Sequence, residues 1–355
     1  VSVRDSPAVR VVPHVPLAPL TTLRVGGAAA RMADLVTEDD VRACVIEADA
    51  RREPLFVLGG GSNVLVADGG FAGLVGRMAI RGVQARWDGD RVVVDVGAGE
   101  DWDTLVARAV DEGWRGVASL GGIPGQVGAT PIQNVGAYGE EVADTVVSVR
   151  VLDRAANAFV DMPAAECGFG YRASVFKRNE RWIVTRVRFA FARGFDSPVR
   201  YAELARALSV KEGALAPARR VRETVIALRR GKGMVLDPAD ADSVSAGSFF
   251  VNPVVDAATA ARVEALAGTR PPTFDAGEGK VKLAAGWLVE RAGFPKGWGE
   301  GRAGVSRKHA LALVNRGGAT SAEIIAVARA IRDGVRARLG VTLEPEPVFV
   351  GCALD

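Results

Sequence analysis

Residues 121–139 hold six glycines and two prolines, Pro124 and Pro131. Ordering so flexible a stretch costs much chain entropy, so such a loop either wraps a ligand or stays disordered. A second glycine run, Gly59-Gly60-Gly61-Ser62-Asn63, sits between two short apolar segments, 55–58 and 64–66, that read as buried strands. Glycine lets successive backbone N–H groups converge and lets a ligand come close to the main chain, which can hold a diphosphate without much positive charge. The run is neither the GxGxxG dinucleotide fingerprint nor a P-loop. Alone it is equally a tight structural turn or a phosphate loop. Paired with the longer loop in one domain, it predicts a clasp on the two ends of one extended nucleotide cofactor.

The flanking segments alternate between strand and helix signals. Residues 1–20, rich in Pro and Val without a helical period, read as an extended lead-in. Thr37 followed by Glu38, Asp39 and Asp40 marks a helix start, with a hydroxyl cap and carboxylates in the first turn. Val41, Cys44, Val45 and Ala48 share one face of that helix, and Pro54 ends the segment. Strands are predicted over 91–96, 146–152 and 182–191, and a helix over 101–112 with Gly113 as its stop. A composition shift at 194–198 predicts a linker. Beyond it, helices are expected over 218–230, 282–292 and 320–339, the last stopped by Gly340, and a strand over 348–350.

Composition removes several function classes. Lys+Arg 45 against Asp+Glu 42 leaves a net charge of +3, which argues against a nucleic-acid binder. No apolar run reaches the roughly 18–20 residues of a membrane span, and no apolar leader precedes a small-residue cleavage site. A soluble cytoplasmic protein is therefore expected, without membrane insertion. Cys44, Cys167 and Cys352 form no CxxC pair, and His14 and His309 are the only histidines, so no metal site is expected. A length of 355 residues suits about two domains.

Leu58-Gly59-Gly60-Gly61-Ser62-Asn63-Val64-Leu65, and then Ile123-Pro124-Gly125 with Pro131-Ile132-Gln133-Asn134-Val135-Gly136-Ala137-Tyr138-Gly139, resemble the two flavin loops of the UDP-N-acetylenolpyruvoylglucosamine reductase family. Tyr171-Arg172-Ala173-Ser174-Val175-Phe176-Lys177, Gly247-Ser248-Phe249-Phe250-Val251-Asn252-Pro253, Ala284-Ala285-Gly286-Trp287-Leu288 and Leu343-Glu344-Pro345-Glu346 resemble further motifs of that family, in the same order. The resemblance runs from about Thr22 to Gly351; one motif is moderately specific, six in order highly so. It implies an α+β fold: a two-part FAD-binding domain of the vanillyl-alcohol-oxidase/p-cresol-methylhydroxylase-like type over 17–195, then a linker, tyrosine loop and α+β substrate-binding domain over 196–340. Residues 341–355 would return as a strand to the active site. Tyr201-Ala202-Glu203-Leu204 is similar to the subtype whose tyrosine loop folds over the substrate. Two departures stand out: Val127-Gly128-Ala129-Thr130 differs from the family's commoner small-residue run, and Pro347 follows the glutamate where Val is usual.

The implied reaction is NADPH-dependent reduction of the vinyl ether of UDP-N-acetylglucosamine-enolpyruvate through non-covalent FAD, by a monomer. The resemblance assigns FAD contacts to Leu58, Gly59, Gly60, Gly61, Ser62, Asn63, Ile123, Pro124, Gly125, Gln133, Asn134, Gly136, Ala137 and Tyr138. It assigns the proton to Ser248 and stabilisation of the enolate to Arg172 and Glu346. A guanidinium offers a permanent charge and a planar fork that matches a carboxylate. Outside its motif, Arg172 reads more readily as a surface arginine, and Ser248 as a loop serine bonded to its own backbone. Glu344 competes with Glu346, and only alignment to the family's second glutamate selects the latter. Substrate contacts are implied for Tyr171, Tyr201, Lys232, Asn252 and His309; His309, just before an apolar run, reads nearly as well as a structural histidine. Two other functions fit the same fold. An FAD-linked sugar or alcohol oxidase is disfavoured because no His or Cys lies within the loops for covalent attachment. A nucleotide-sugar-binding protein without catalysis is disfavoured by the joint presence of Arg172, Ser248 and Glu346.

Overall fold

The structure, a computed structural model, describes residues 9–354. Residues 1–8 of the expected lead-in lie outside the described residues; the remainder forms the strand Val11–Pro16 and a short turn of helix, Ala18–Leu20. The chain packs as two units. The first takes in the described residues up to Val15, then Ala29–Gly60 and Ala72–Arg230; the second takes in Pro16–Ala28, Gly61–Phe71 and the chain from Gly231 onward. Among the described residues, no helix is long and apolar enough to cross a membrane.

In the first unit, α1 (Glu38–Arg51) starts at Thr37, whose side chain accepts the Asp40 N–H while the Asp40 carboxylate accepts the Thr37 N–H. Its buried face of Val41, Cys44, Val45 and Ala48 packs with Leu35, Leu55 and Leu74 of a four-stranded sheet ordered Val11–Pro16, Ala28–Leu35, Phe71–Met78, Leu55–Leu58. Each fully buried side chain of this size contributes about 1.5–3 kcal/mol. A larger antiparallel sheet runs Ala158–Pro163, Val146–Asp153, Trp182–Arg193, Arg91–Gly97, Val83–Asp88, with Trp114–Arg115 on the end of Trp182–Arg193. Phe189 and Phe191 of its central strand stack on each other, and α2 (Trp102–Asp111) lays Trp102 against Phe189.

The expected linker at 194–198 is instead part of this unit. Asp196–Pro198 pairs with Leu215–Pro217, and α3 (Ala202–Leu208) and α4 (Ala218–Gly231) close a small core of Val110, Val199, Leu204, Leu208, Val221 and Val225. Packing therefore divides the chain differently from the expected 195/196 and 340/341 boundaries, because the apolar faces of α3 and α4 are buried against Val110 of α2 and Ala118 rather than left on a connector.

Glu140 lies in this unit at 2% exposure, its carboxylate accepting the Ser119 N–H at 2.8 Å and the Ser197 hydroxyl at 3.0 Å. Burial raises its carboxyl above the usual range despite those bonds. The native state thus holds a proton that the unfolded chain has already released. Stability falls as pH rises from the ordinary glutamate range to the raised value, then levels off. Glu140→Gln removes this term, so in urea melts the variant's stability relative to wild type is expected to rise over that window. A difference that stays constant with pH would contradict the burial argument.

In the second unit, α5 (Ala257–Ala267), α6 (Ala285–Arg291) and α7 (Ser321–Leu339) surround two three-stranded sheets. One runs Ser245–Ser248, Ala312–Asn315, Ala303–Val305; the other runs Val254–Asp256, Lys280–Leu283, Thr273–Asp275. Ile324, Ala328, Ile331, Val335 and Leu339 of α7 form the stripe that the sequence shows, packed with Leu288, Leu313 and Phe249. The helix expected over 282–292 begins only at Ala285. Lys280–Leu283 is the central strand of its sheet, and the side-chain oxygen of Asn252 accepts the Ala285 N–H to open the helix there. Val348–Val350 is a strand as expected, pairing in parallel with Val64–Val66.

Candidate active site

The first unit holds the long glycine loop and the start of the short one, Gly59-Gly60. A Cβ on Gly60 would lie 2.9 Å from the Gly125 Cα, so the two loops approach backbone to backbone and only glycine fits there. α2 tethers the long loop: the Trp102 indole donates to the Leu120 carbonyl at 3.2 Å, and the Asp103 carboxylate accepts the Gly122 N–H at 2.7 Å and the Arg222 guanidinium at 2.8 Å. Gln126 donates to the Met78 carbonyl, while its buried Oε1 has no hydrogen-bond partner in the structure. A side chain at Gly59 would stand 3.4 Å from that oxygen. A side-chain-free cradle beside an orphaned buried acceptor fits a nucleotide cofactor that supplies the missing donor.

The far end of the loop forms a tight hairpin, Gly136–Ala137 against Glu140–Glu141, with Tyr138 at φ +50. The Tyr138 ring meets Tyr201 edge-on at 5.6 Å, so the structure brings a residue of the second loop to the expected tyrosine loop. Burial, reinforced by the negative charge of Glu203, pushes the Tyr138 hydroxyl up to about 12 and keeps it a neutral donor at ordinary pH.

Asn134, an expected cofactor contact, is 1% exposed and its amide is turned into the protein. It donates to the Glu141 carboxylate at 2.7 Å and the Gly170 carbonyl at 3.1 Å, and accepts the Ala143 N–H at 3.1 Å. Both amide hydrogens are used inside the fold, so this side chain organises the loop rather than meeting a cofactor through its amide donors. Leu58 is buried as well, whereas Ile123, Pro124, Gly125, Gln133, Gly136 and Ala137 are half-buried along the loop.

Arg172 sits in the same unit, on a tight turn where Gly170 and Ala173 exchange backbone bonds. Its guanidinium donates to the carbonyls of Asn134, at 3.2 Å, and Gly136, at 2.6 Å. Ser174 ties the same turn to the Ile132 carbonyl at 2.6 Å, and the Tyr171 ring lies 5.5 Å from the guanidinium carbon. Arg172 has φ +52, a left-handed conformation that costs an arginine on the order of 1–3 kcal/mol. Lys177 donates its ammonium to the Arg172 carbonyl at 2.7 Å. A hydrogen bond from a charged group contributes about 1.5–3 kcal/mol, enough to offset that strain.

The second unit assembles Ser248 and Glu346 through the backbone. Ser245–Ser248 pairs with Ala312–Asn315 through a bulge, and Gly247 inside it adopts φ +76, which turns the strand and re-aims Ser248. The next residue, Phe249, accepts the Glu346 N–H at 2.9 Å, and Val251 donates to the Glu344 carbonyl at 3.1 Å. The serine and the glutamate therefore stand on neighbouring, directly bonded segments. Of the two competing glutamates, Glu346 is half-buried and Glu344 exposed. The end of the first glycine run reaches the same place. The Asn63 amide donates to the Glu346 carbonyl at 3.3 Å, and the Asn63 carbonyl accepts the Val348 N–H at 2.9 Å. Pro347, which has no N–H, is buried between these two bonds, so the departure at that position keeps the strand attached on both sides. Thr22, which carried no recognisable signal, joins the set: its hydroxyl donates to the Ser245 carbonyl at 2.6 Å and its N–H to the Gly61 carbonyl.

The substrate candidates differ in their own contacts. Asn252 spends its side-chain oxygen on α6, which leaves its amide nitrogen as the donating end. His309 accepts the Leu311 N–H at Nδ1, so a neutral ring carries its proton on Nε2. Lys232 is half-buried where the chain leaves α4, and Tyr201, in the first unit, is 38% exposed. Among the described residues, no cluster of His, Cys, Asp and Glu could hold a metal ion.

Residues 29–160 match the family model described as FAD binding domain, and residues 237–350 match that described as UDP-N-acetylenolpyruvoylglucosamine reductase, C-terminal domain. The chain is 52% identical over 349 residues to the UDP-N-acetylenolpyruvoylglucosamine reductase of Thermobifida fusca, covering 96% of this chain and 98% of that protein. It is 49% identical over 348 residues to the enzyme of the same name from Streptomyces avermitilis, covering 96% and 94%. The crystal structure of UDP-N-acetylenolpyruvylglucosamine reductase from Thermus caldophilus superposes with a TM-score of 0.64 at 28% identity, over 96% of this chain and 99% of that one.

Proposed function

Since the chain belongs to the UDP-N-acetylenolpyruvoylglucosamine reductase family of FAD-dependent oxidoreductases, we propose that it reduces UDP-N-acetylglucosamine-enolpyruvate to UDP-N-acetylmuramate for peptidoglycan synthesis. NADPH is the reductant, and the balance is substrate plus NADPH plus one proton giving product plus NADP+. FAD, when bound, supplies the two-electron relay between NADPH and the vinyl ether. The glycine cradle at Gly59–Gly60 and Gly125, with Gln126 and the backbone of the 131–138 segment, would hold it.

As the terminal vinyl carbon is reduced, negative charge develops on the neighbouring carbon and its carboxylate. Arg172 stabilises that charge with a fork oriented by neutral carbonyls. Glu346 shares the stabilisation of the enolate. Ser248 gives its hydroxyl proton to the carbon next to the carboxylate and recovers one from solvent. Tyr171, Tyr201, Lys232, Asn252 and His309 bind the nucleotide-sugar; a diphosphate wants a cation and neutral donors, and these residues supply both. The enzyme works on this reading as a cytoplasmic monomer without a nucleic-acid partner.

The observation that carries the reading is the backbone bond between Phe249 and Glu346, which sets Ser248 beside Glu346 at the end of the first glycine run. The test is anaerobic. NADPH should bleach the flavin absorbance of the purified protein, and UDP-N-acetylglucosamine-enolpyruvate should then restore it rapidly. A bleached flavin that this substrate fails to reoxidise would point to another acceptor. Protein that binds no FAD would overturn the assignment of the glycine loops.

A further inference from the structure

The catalytic reading leaves Lys177 without a task, although it makes a short, charge-assisted bond. We propose that Lys177 is a positioning residue that locks Arg172 in its working conformation through the Arg172 main-chain carbonyl; the inference rests on the proposed role of Arg172. Three observations meet at this point. Arg172 is left-handed, a conformation that carries an energetic cost for a non-glycine residue. The Lys177 ammonium is 2.7 Å from the carbonyl of that same residue. The Arg172 guanidinium must reach two particular carbonyls, Asn134 and Gly136, which it can do only if its backbone faces the loop.

Two neighbouring contacts act at other points of the turn. Ser174 fixes the turn to Ile132 from the next position, and Gly170 and Ala173 close it, but neither bonds the Arg172 peptide itself. If the ammonium is lost, the Arg172 carbonyl gives up a charged donor. The residue can then relax toward a right-handed conformation and carry the guanidinium off its two acceptors. Misplacing a catalytic group by about an ångström costs up to about 100-fold in rate. The lysine therefore acts on the substrate-reducing step through another residue, and the cofactor-reducing step does not feel it.

The experiment measures, in the FAD-loaded enzyme, flavin bleaching by NADPH and reoxidation by UDP-N-acetylglucosamine-enolpyruvate. The variants are Lys177→Met, Lys177→Arg, Arg172→Ala and the Lys177→Met/Arg172→Ala pair. Lys177→Met is expected to slow reoxidation about 10- to 100-fold at saturating substrate, with the bleaching rate and the flavin spectrum unchanged. Lys177→Arg, whose guanidinium can reach the same carbonyl, is expected to recover most of the rate. Added to Arg172→Ala, Lys177→Met should cost less than about twofold more, because the residue it positions is gone. Full reoxidation in Lys177→Met, while Arg172→Ala is slow, overturns the inference and spares the role of Arg172. The same penalty in both backgrounds overturns it too, by making Lys177 a substrate or folding group in its own right. A wild-type rate in Arg172→Ala overturns the reading of Arg172 and the inference with it.

Discussion

Arg172→Ala is expected to slow reoxidation of the reduced enzyme by UDP-N-acetylglucosamine-enolpyruvate by about 10²–10³-fold. The expectation comes from what the guanidinium touches. Among its partners are two backbone acceptors, the Asn134 and Gly136 carbonyls, which are neutral and orient the cation. A positive charge held in place before the reaction stabilises the enolate as it forms, with little reorganisation at that moment. Bleaching by NADPH develops no enolate, so it should proceed at the wild-type rate. Arg172→Lys should fall between the two. It keeps the charge but loses the planar fork and cannot bridge both carbonyls. Stopped-flow absorbance separates the half-reactions, and equal slowing of both would show that the substitution had damaged the flavin site instead.

Ser248→Ala should cost about 10²–10⁴-fold in the same substrate step, the range for loss of a positioned proton donor. Bleaching by NADPH should again be untouched. A serine hydroxyl is a weak acid, so its usefulness depends on placement. Gly247 at φ +76 bulges the strand, and the Phe249–Glu346 bond fixes the segment that follows. Ser248→Cys retains an ionisable proton on the same Cβ and should recover part of the rate, with a smaller solvent deuterium isotope effect if proton delivery ceases to limit. A Ser248→Ala enzyme that turns over at the wild-type rate would hand the proton to water or to another residue.

The elements legible in the sequence are those whose signals are local. Thr37 and Thr320 cap α1 and α7 because a hydroxyl followed three residues later by a carboxylate satisfies backbone donors within one turn. The stripe Ile324–Leu339 has the helical period and is buried along its length. Other elements depended on partners far along the chain. Ala28–Leu35 is rich in helix-favouring Ala, Leu, Met and Arg, yet it is a strand because it lies between Val11–Pro16 and Phe71–Met78. Lys280–Leu283 carries part of an apparent helical pattern but sits between two strands. Residues 194–198 look like a linker by composition, yet Asp196–Pro198 has a partner in Leu215–Pro217.

By itself, the sequence determined the two glycine loops, the order of the six motifs and hence the family. Glycine at a crowded backbone crossing is a local steric requirement, and a motif is a local string. The tertiary structure alone decided what surrounds each functional side chain. It left Glu344 exposed and bonded Glu346 to Phe249, turned the Asn134 amide inward, and set the Lys177 ammonium on the Arg172 carbonyl. The Phe249–Glu346 and Asn134–Gly170 bonds join segments far apart in the chain, and the closer Lys177–Arg172 bond depends on the left-handed backbone at Arg172, so residue identity alone does not specify them.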